Sequence, residues 1–383
     1  MEPSPYAPGS LPEYLAGRGR ERDLIRDKVS RLSMLGRSGG PLLAFHAPRG
    51  LGKTSLLRMA QRDAIAEGFL TAWVTGRDDR PMSPDLAQAL SLAVKERSFG
   101  ERSKALLHRL DQIQVEFGIP GMKVGATLSA DDDKVPPGSA VLEELLEDAG
   151  RFARNHDAKG LVVFVDEFQE AQLGDRKSLL IGLQHFDGAP DATPVAIIAA
   201  GLPSLPPAVT EAATFGERSR FVELGLLSDV AVAEAIRVPA EHHQVAWSDE
   251  AIMAAIELAA GYPHKVQLIG DATWEVARPT AGSTIVIGHV RRAEEEIEDR
   301  MRGLFRTRLD RATPEQRRFL AAMAAVGDGP VERARIAAEL GVPTTAVSRP
   351  RQQLIDRGFI EAVGHGRLRF TIPGFAAYVR DNG

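Results

Sequence analysis

Residues 47–55 read Ala-Pro-Arg-Gly-Leu-Gly-Lys-Thr-Ser. They follow the pattern G-x-x-x-x-G-K-[ST], with Ala47 in the place of the first glycine. Glycines in such a loop let backbone N–H groups curl around phosphate oxygens. A helix starting at Lys53 would point its positive N-terminal end at the same anion. Lys53 would reach the β- and γ-phosphates of a nucleotide, and the Thr54 hydroxyl would hold Mg2+. Pro48, Arg49, Gly50, Leu51, Gly52 and Ser55 complete the candidate cradle. Ala47 asks that its own backbone avoid positive φ. The competing reading is a glycine-rich turn that merely opens a helix.

A second chemical site follows the apolar run 161–165, which ends in Asp166 and Glu167. Asp166 would hold Mg2+ through water. Glu167 would orient and deprotonate an attacking water. Taken alone, the two carboxylates could simply cap a strand. About 110 residues after a phosphate loop, they complete a hydrolytic site.

These residues need a scaffold. Apolar runs at 41–47, 69–76, 161–167, 193–201 and 220–227 alternate with helical patterns at 20–34, from Lys53, and at 84–97. Strands of this length alternating with helices indicate an α/β fold, a parallel sheet covered on both faces. From about 228 the strand signals fade. Residues 229–237, 248–260 and 264–277 carry helical periodicity, and 288–310 reads as a long solvated helix. Residues 1–15 hold four prolines and little pattern, so they read as a mobile arm. Residues 113–138 alternate like a hairpin and then turn polar and Pro/Gly-rich, which reads as an insertion.

Several segments occur in a telling order: Gly17 and Arg18, the loop at 47–54, VFVDE, AAGLPSLP (199–206), FGERSRF (215–221) and GYPHKVQLIG (261–270). With them the chain resembles a bacterial AAA+ ATPase, a P-loop NTPase related to archaeal ATPases and origin-recognition-type initiators. The resemblance spans roughly residues 15–380. It implies a P-loop AAA+ parallel sheet of order 5-1-4-3-2 in a base of residues 16–227. It also implies a helical lid and linker helix at 228–310 and a winged helix at 311–383. ATP or ADP with Mg2+ would sit between base and lid, beside Gly17, Arg18, Pro263 and His264. Arg218 matches the position of an arginine finger that acts on a neighbouring copy, with Arg220 the nearby alternative. Either arginine reads equally well as a surface charge. Two departures imply slow hydrolysis. Ala199, Ala200 and Gly201 end the fourth strand without a polar sensor, and His264, followed by Lys265, replaces the lid arginine of G-x-x-R.

The C-terminal pattern is helix at 314–325, helix at 331–343, helix at 344–357 and hairpin at 359–372, turning at 364–366. That order is the winged-helix arrangement. Leu368, Phe370 and Ile372 would face inward, and Arg367, Arg369 and Thr371 outward. On double-stranded DNA, the helix at 344–357 would enter the major groove through Thr345, Ser348, Arg349, Arg351 and Gln352. Arg367 and Arg369 would meet phosphate or the minor groove. Pro350 would kink that helix or push its start back. The same unit also serves as a protein-docking module in signalling and defence switches, which is the rival reading.

Composition narrows the classes. The 383 residues contain no cysteine, which excludes a disulfide scaffold and a thiol nucleophile. No apolar stretch approaches the roughly 18 residues that span a bilayer, and the first residues lack a signal pattern, so a cytoplasmic setting is expected. The nine histidines show no metal spacing, and the acidic run 131–133 reads as a solvated loop. The net charge of −5 is an average of unlike parts. Residues 311–383 carry eleven Arg, no Lys and seven Asp or Glu, a net +4, against −9 for residues 1–310. A basic tail unit is the footprint that nucleic acid requires.

Overall fold

The computed structural model describes residues 2–97, 103–118, 137–188, 193–364 and 366–382. The chain forms two compact units. One comprises Gly19–His46 and Leu56–Glu223, and the other comprises Met1–Arg18, Ala47–Ser55 and Leu224–Gly383.

The first unit is built on five strands: β1 (Leu43–His46), β2 (Leu70–Thr75), β3 (Leu161–Asp166), β4 (Val195–Gly201) and β5 (Arg220–Glu223). All neighbours pair parallel, in the order β2-β3-β4-β1-β5. This is the order expected from the resemblance. Every residue of β3 and β4 is buried, which is why both read as continuous apolar runs. Edge strand β5 is half-exposed and ends at Glu223, short of the 227 its apolar run suggested. Because the strands are parallel, His46, Thr75, Asp166, Gly201 and Glu223 all end at one edge of the sheet.

Helices α1 (Gly19–Leu35), α2 (Lys53–Ala66), α3 (Ser83–Glu96), α4 (Lys104–Gly118), α5 (Pro137–Asn155), α6 (Leu173–Gly188) and α7 (Leu205–Ala212) connect the strands. Leu86, Leu90 and Val94 of α3 meet Leu142, Leu145 and Leu146 of α5 and Leu179 and Leu183 of α6 in one core under the sheet. Their 3–4 residue spacing is that of a one-sided helix. The hairpin expected from residue 113 is helical through Gly118. Leu106, Leu110 and Ile113 are buried at helical spacing, and burial on one face outweighs the local alternation. Residues 119–136, including the acidic run, lie outside the described residues.

In the second unit α8 (Asp229–His242), β6 (Ala246–Trp247), α9 (Asp249–Ala259), α10 (Pro263–Ala277), β7 (Thr284–Ile285) and α11 (Ile287–Asp310) form the helical part. Ser228 and Ser248 cap α8 and α9 by accepting from the Ala231 and Ala251 N–H groups. Of residues 1–15, expected to be a mobile arm, Glu2, Tyr6 and Ala7 are tied into this unit. Tyr6 is buried and donates to the Ile236 carbonyl at 2.6 Å. Gln267 accepts from Ala7 N–H at 3.1 Å, and Trp274 Nε1 donates to the Glu2 carbonyl at 3.0 Å. One buried aromatic ring with its hydroxyl satisfied anchors the segment.

The chain ends in α12 (Pro314–Val326), β8 (Val331–Glu332), α13 (Arg333–Glu339), α14 (Ser348–Asp356), β9 (Ile360–Ala362), β10 (Arg367–Phe370) and α15 (Phe375–Asn382). The three strands form an antiparallel sheet of order β8-β10-β9. α14 starts at Ser348, which puts Pro350 in its first turn, where a proline costs no helical hydrogen bond. Thr345 therefore lies in a turn before the helix. Leu368, Phe370 and Ile372 are buried as expected, but so is Thr371, whose hydroxyl donates to the Gly358 carbonyl at 2.6 Å. His365 lies outside the described residues. Helix α15 has no counterpart in the sequence reading. It inserts Phe375 among Phe305, Phe359, Phe370 and Tyr378.

Candidate functional site

Within the second unit, Ala47 starts the loop that leads into α2. Ala47 is buried and is absent from the residues at positive φ, so its methyl group is tolerated. Gly50 and Gly52 both stand at φ +84, the left-handed region that favours glycine. Gly52 faces open space and is required for its backbone alone. Gly50 is required twice, because a Cβ there would lie 1.9 Å from the Tyr262 hydroxyl. That hydroxyl donates to the Arg49 carbonyl at 3.3 Å.

Lys53 is buried, and its Nζ donates to the carbonyls of Ala47 at 2.9 Å and Pro48 at 3.0 Å. The ammonium is thus held inside the loop. Thr54 is exposed on the first turn of α2. Arg18 is buried and donates through one Nη to the Leu51 carbonyl at 3.0 Å and to the Gly225 carbonyl at 2.7 Å. It fixes the loop's path. Gly17 stands at φ +66, with Ala231 and Leu227 against its α-carbon. The structure therefore brings Gly17, Arg18, the loop, and Tyr262 with Pro263 and His264 together in one unit. Burial lowers the His264 pKa, so the imidazole is neutral at pH 7 and supplies no cation. Burial also lowers the Lys265 pKa, against the opposing charge of Glu298.

In the first unit Asp166 ends β3, buried, and its Oδ1 accepts the Glu167 N–H at 3.0 Å. Arg58 lies over the Trp73 ring at 3.5 Å, and burial lowers its pKa while the Asp166 charge opposes that shift. Glu167 takes a left-handed backbone, φ 48 and ψ 42, which turns the chain sharply after the strand. Its Oε2 accepts from Gln169 Nε2 at 2.6 Å. Gln169 and Tyr262 were not singled out in the sequence. Gln169 lies two residues past the carboxylate pair with no spacing signal, and Tyr262 is visible only through its partner Gly50.

Arg218 is exposed just before β5, and it lines a small cleft of about 70 Å³ with Pro41, Leu42, Leu183 and Phe215. That is the edge where strands β1 and β5 begin. Asp166 stands at the edge where they end. The sheet does not bring these two residues together.

At the C-terminus Thr345, Ser348, Arg349, Gln352, Arg367 and Arg369 are exposed and Arg351 is half-buried. Arg369 pairs with Glu361 at 2.8 Å, Arg367 with Glu332 at 3.9 Å, and Gln352 donates to Asp356 at 2.9 Å. Among the described residues, no helix is long and apolar enough to cross a membrane.

Residues 14–198 match the model of the AAA ATPase domain. Residues 302–379 match a domain of unknown function (DUF8462). No curated protein matches the sequence. Among solved structures, the chain is similar to the Walker-type ATPase PABY2304 of Pyrococcus abyssi, with 16% identity, 99% of each chain covered and a TM-score of 0.62. It is also similar to the ORC2 protein of Aeropyrum pernix, with 15% identity, 98% of this chain and 96% of that one covered and a TM-score of 0.59. The fold is that of the P-loop AAA+ proteins.

Proposed function

We propose that this chain binds ATP with Mg2+ and hydrolyses it slowly, as a switch that engages duplex DNA through its C-terminal unit. The observation that carries the nucleotide half is the loop at 47–55. Two glycines at φ +84 lead into a buried Lys53 whose ammonium is held on loop carbonyls after a parallel strand. In this reading the loop N–H groups and Lys53 take the β- and γ-phosphates. Thr54 and Asp166 offer the oxygen donors that Mg2+ prefers, and the ion would neutralise phosphate charge. Glu167 accepts a proton from the attacking water. The ORC2 structure, described as ADPNP-ADP complexes, supports an adenine nucleotide. A neutral His264 in place of the lid arginine supports slow turnover. Lys53→Ala should abolish nucleotide binding, and Glu167→Gln should keep binding but stop phosphate release. If both variants hydrolyse ATP like wild type, the assignment is wrong.

The order α12–β8–α13–α14–β9–β10, with its three-stranded sheet, supports a winged helix. Arg349 on the exposed first turn of α14 and the net +4 of residues 311–383 support phosphate contact. A second reading draws on the pairing of Arg367 and Arg369 with glutamates, which would repel a phosphate backbone. There the unit faces protein in a signalling or defence switch. Duplex binding by the full chain that weakens steeply with salt, and weakens further in Arg349→Ala, supports DNA. No affinity at low ionic strength supports the protein-facing switch.

A further inference from the structure

We propose that Gln169 is a positioning residue that orients the Glu167 carboxylate and ties it to the end of β4. This rests on the reading of Glu167 as the water-activating group. The Gln169 amide is used at both ends. Its Nε2 donates to Glu167 Oε2 at 2.6 Å, and its Oε1 accepts from the Leu202 N–H at 3.1 Å. Nε2 also lies 3.3 Å from Glu170 Oε1. The flipped amide would set its oxygen against a carboxylate and its NH2 against a donor, so only one orientation satisfies both partners.

The bridge is held from two further directions. Arg176, itself buried, donates to the Gln169 carbonyl at 2.7 Å and fixes the backbone. Gly201 provides the space, because a Cβ there would lie 2.1 Å from Gln169 Oε1. The glycine that ends β4 without a polar side chain is thus the position that lets Gln169 reach the strand end. The polar sensor absent from β4 has a replacement in the β3 loop, acting through Glu167 rather than on phosphate directly. Glu167 turns left-handed after Asp166, and Gln169 lies in the short helical turn Phe168–Glu170 that follows, which places the two side chains within hydrogen-bond reach.

The test uses the full chain in steady-state ATP hydrolysis, with thermal melts to confirm that each variant folds. Gln169→Ala should lower kcat about tenfold and leave the KM for ATP within about twofold, the signature of lost orientation rather than lost binding. Gln169→Glu keeps an acceptor for Leu202 but sets a second carboxylate beside Glu167. Repulsion between the two carboxylates should turn Glu167 away and lower kcat at least as far as Gln169→Ala does. Leu202 amide exchange should quicken in Gln169→Ala and in Glu167→Ala, because the bridge needs both anchors. The proposal is overturned if Glu167→Gln stops turnover while both Gln169 variants keep the wild-type kcat. It is overturned equally if Leu202 exchange is unchanged. If Glu167→Gln itself turns over like wild type, the reading of Glu167 falls and this proposal with it.

Discussion

The ring of Tyr262 covers Gly50 so closely that a methyl group on the glycine would lie 1.9 Å from the phenolic oxygen, which itself donates to the Arg49 carbonyl. One aromatic side chain at the start of α10 therefore shapes the backbone of the phosphate loop. Burial pushes the Tyr262 pKa up to about 12, so the hydroxyl stays protonated and a donor throughout the neutral range.

Gly50→Ala should cut nucleotide affinity at least about tenfold, because it meets both the positive φ and the Tyr262 ring. Gly52→Ala meets only the φ term and should cost less. Combining Gly50→Ala with Tyr262→Ala should recover part of the loss. Titration with a fluorescent nucleotide checks the order of the three. Equal losses in Gly50→Ala and Gly52→Ala would show that the ring contact has no role. Tyr262→Phe removes only a hydrogen bond, worth about 0.5–1.5 kcal/mol of stability.

Asp175 gives a pH-dependent prediction. It is buried beneath α3, where it accepts the Met82 N–H at 2.8 Å. Burial raises its pKa from 3.8 to about 6, against the opposing effect of that hydrogen bond. The folded state therefore holds the proton more tightly than the unfolded chain. Its contribution to stability is complete below pH 3.8 and is lost as pH rises through about 6. Asparagine keeps the acceptor and cannot ionise. Asp175→Asn should raise stability by about 1–3 kcal/mol at pH 8 and by almost nothing at pH 4. Urea unfolding at the two pH values measures the difference, and an equal effect at both would exclude a buried carboxylate as the cause.

The sheet was legible because β3 and β4 are buried on both faces, which leaves an unbroken apolar signature. The loop was legible because phosphate chemistry restricts Gly52, Lys53 and Thr54 to few residue types. The start of α14 was half-legible through Pro350. What escaped depends on contacts remote in sequence. Nothing local to Tyr6 announces the space at Gly270, where a Cβ would lie 2.5 Å from its ring. Thr371 alternates outward by period, yet the backbone carbonyls of Gly358 and Phe359 draw its hydroxyl inside. Gln169 carries no motif, and its role exists only through Leu202 and Gly201 on another strand.

The docking of residues 2–10 makes the N-terminal segment part of the fold. Tyr6→Ala removes a buried ring and its hydrogen bond, and should destabilise the second unit by about 3–5 kcal/mol. Tyr6→Phe removes only the hydrogen bond to the Ile236 carbonyl and should cost about 0.5–1.5 kcal/mol. Gly270→Ala should cost an amount between these by forcing the ring out. Thermal denaturation of the three variants gives the ranking, and an unchanged melting temperature in Tyr6→Ala would return the segment to a loose arm.

Arg218 tests whether copies of the chain cooperate. Arg218 precedes β5 at the edge where the strands begin, and Asp166 ends β3 at the opposite edge. A strand of four to seven residues spans about 13–23 Å, beyond the reach of one arginine side chain. If Arg218 acts on a phosphate site, that site belongs to a second copy. Arg218→Ala should then lose turnover at least about tenfold while binding nucleotide normally. Lys53→Ala loses turnover for the separate reason that its own loop is empty of the ammonium. A mixture of the two inactive variants pairs an intact loop from one copy with an intact Arg218 from the other, so activity should reappear and peak near equal amounts. Full activity in Arg218→Ala alone would make the residue a surface charge. Loss without recovery on mixing would place its effect inside its own copy, which the sheet geometry forbids for direct contact and would assign to the cleft with Phe215.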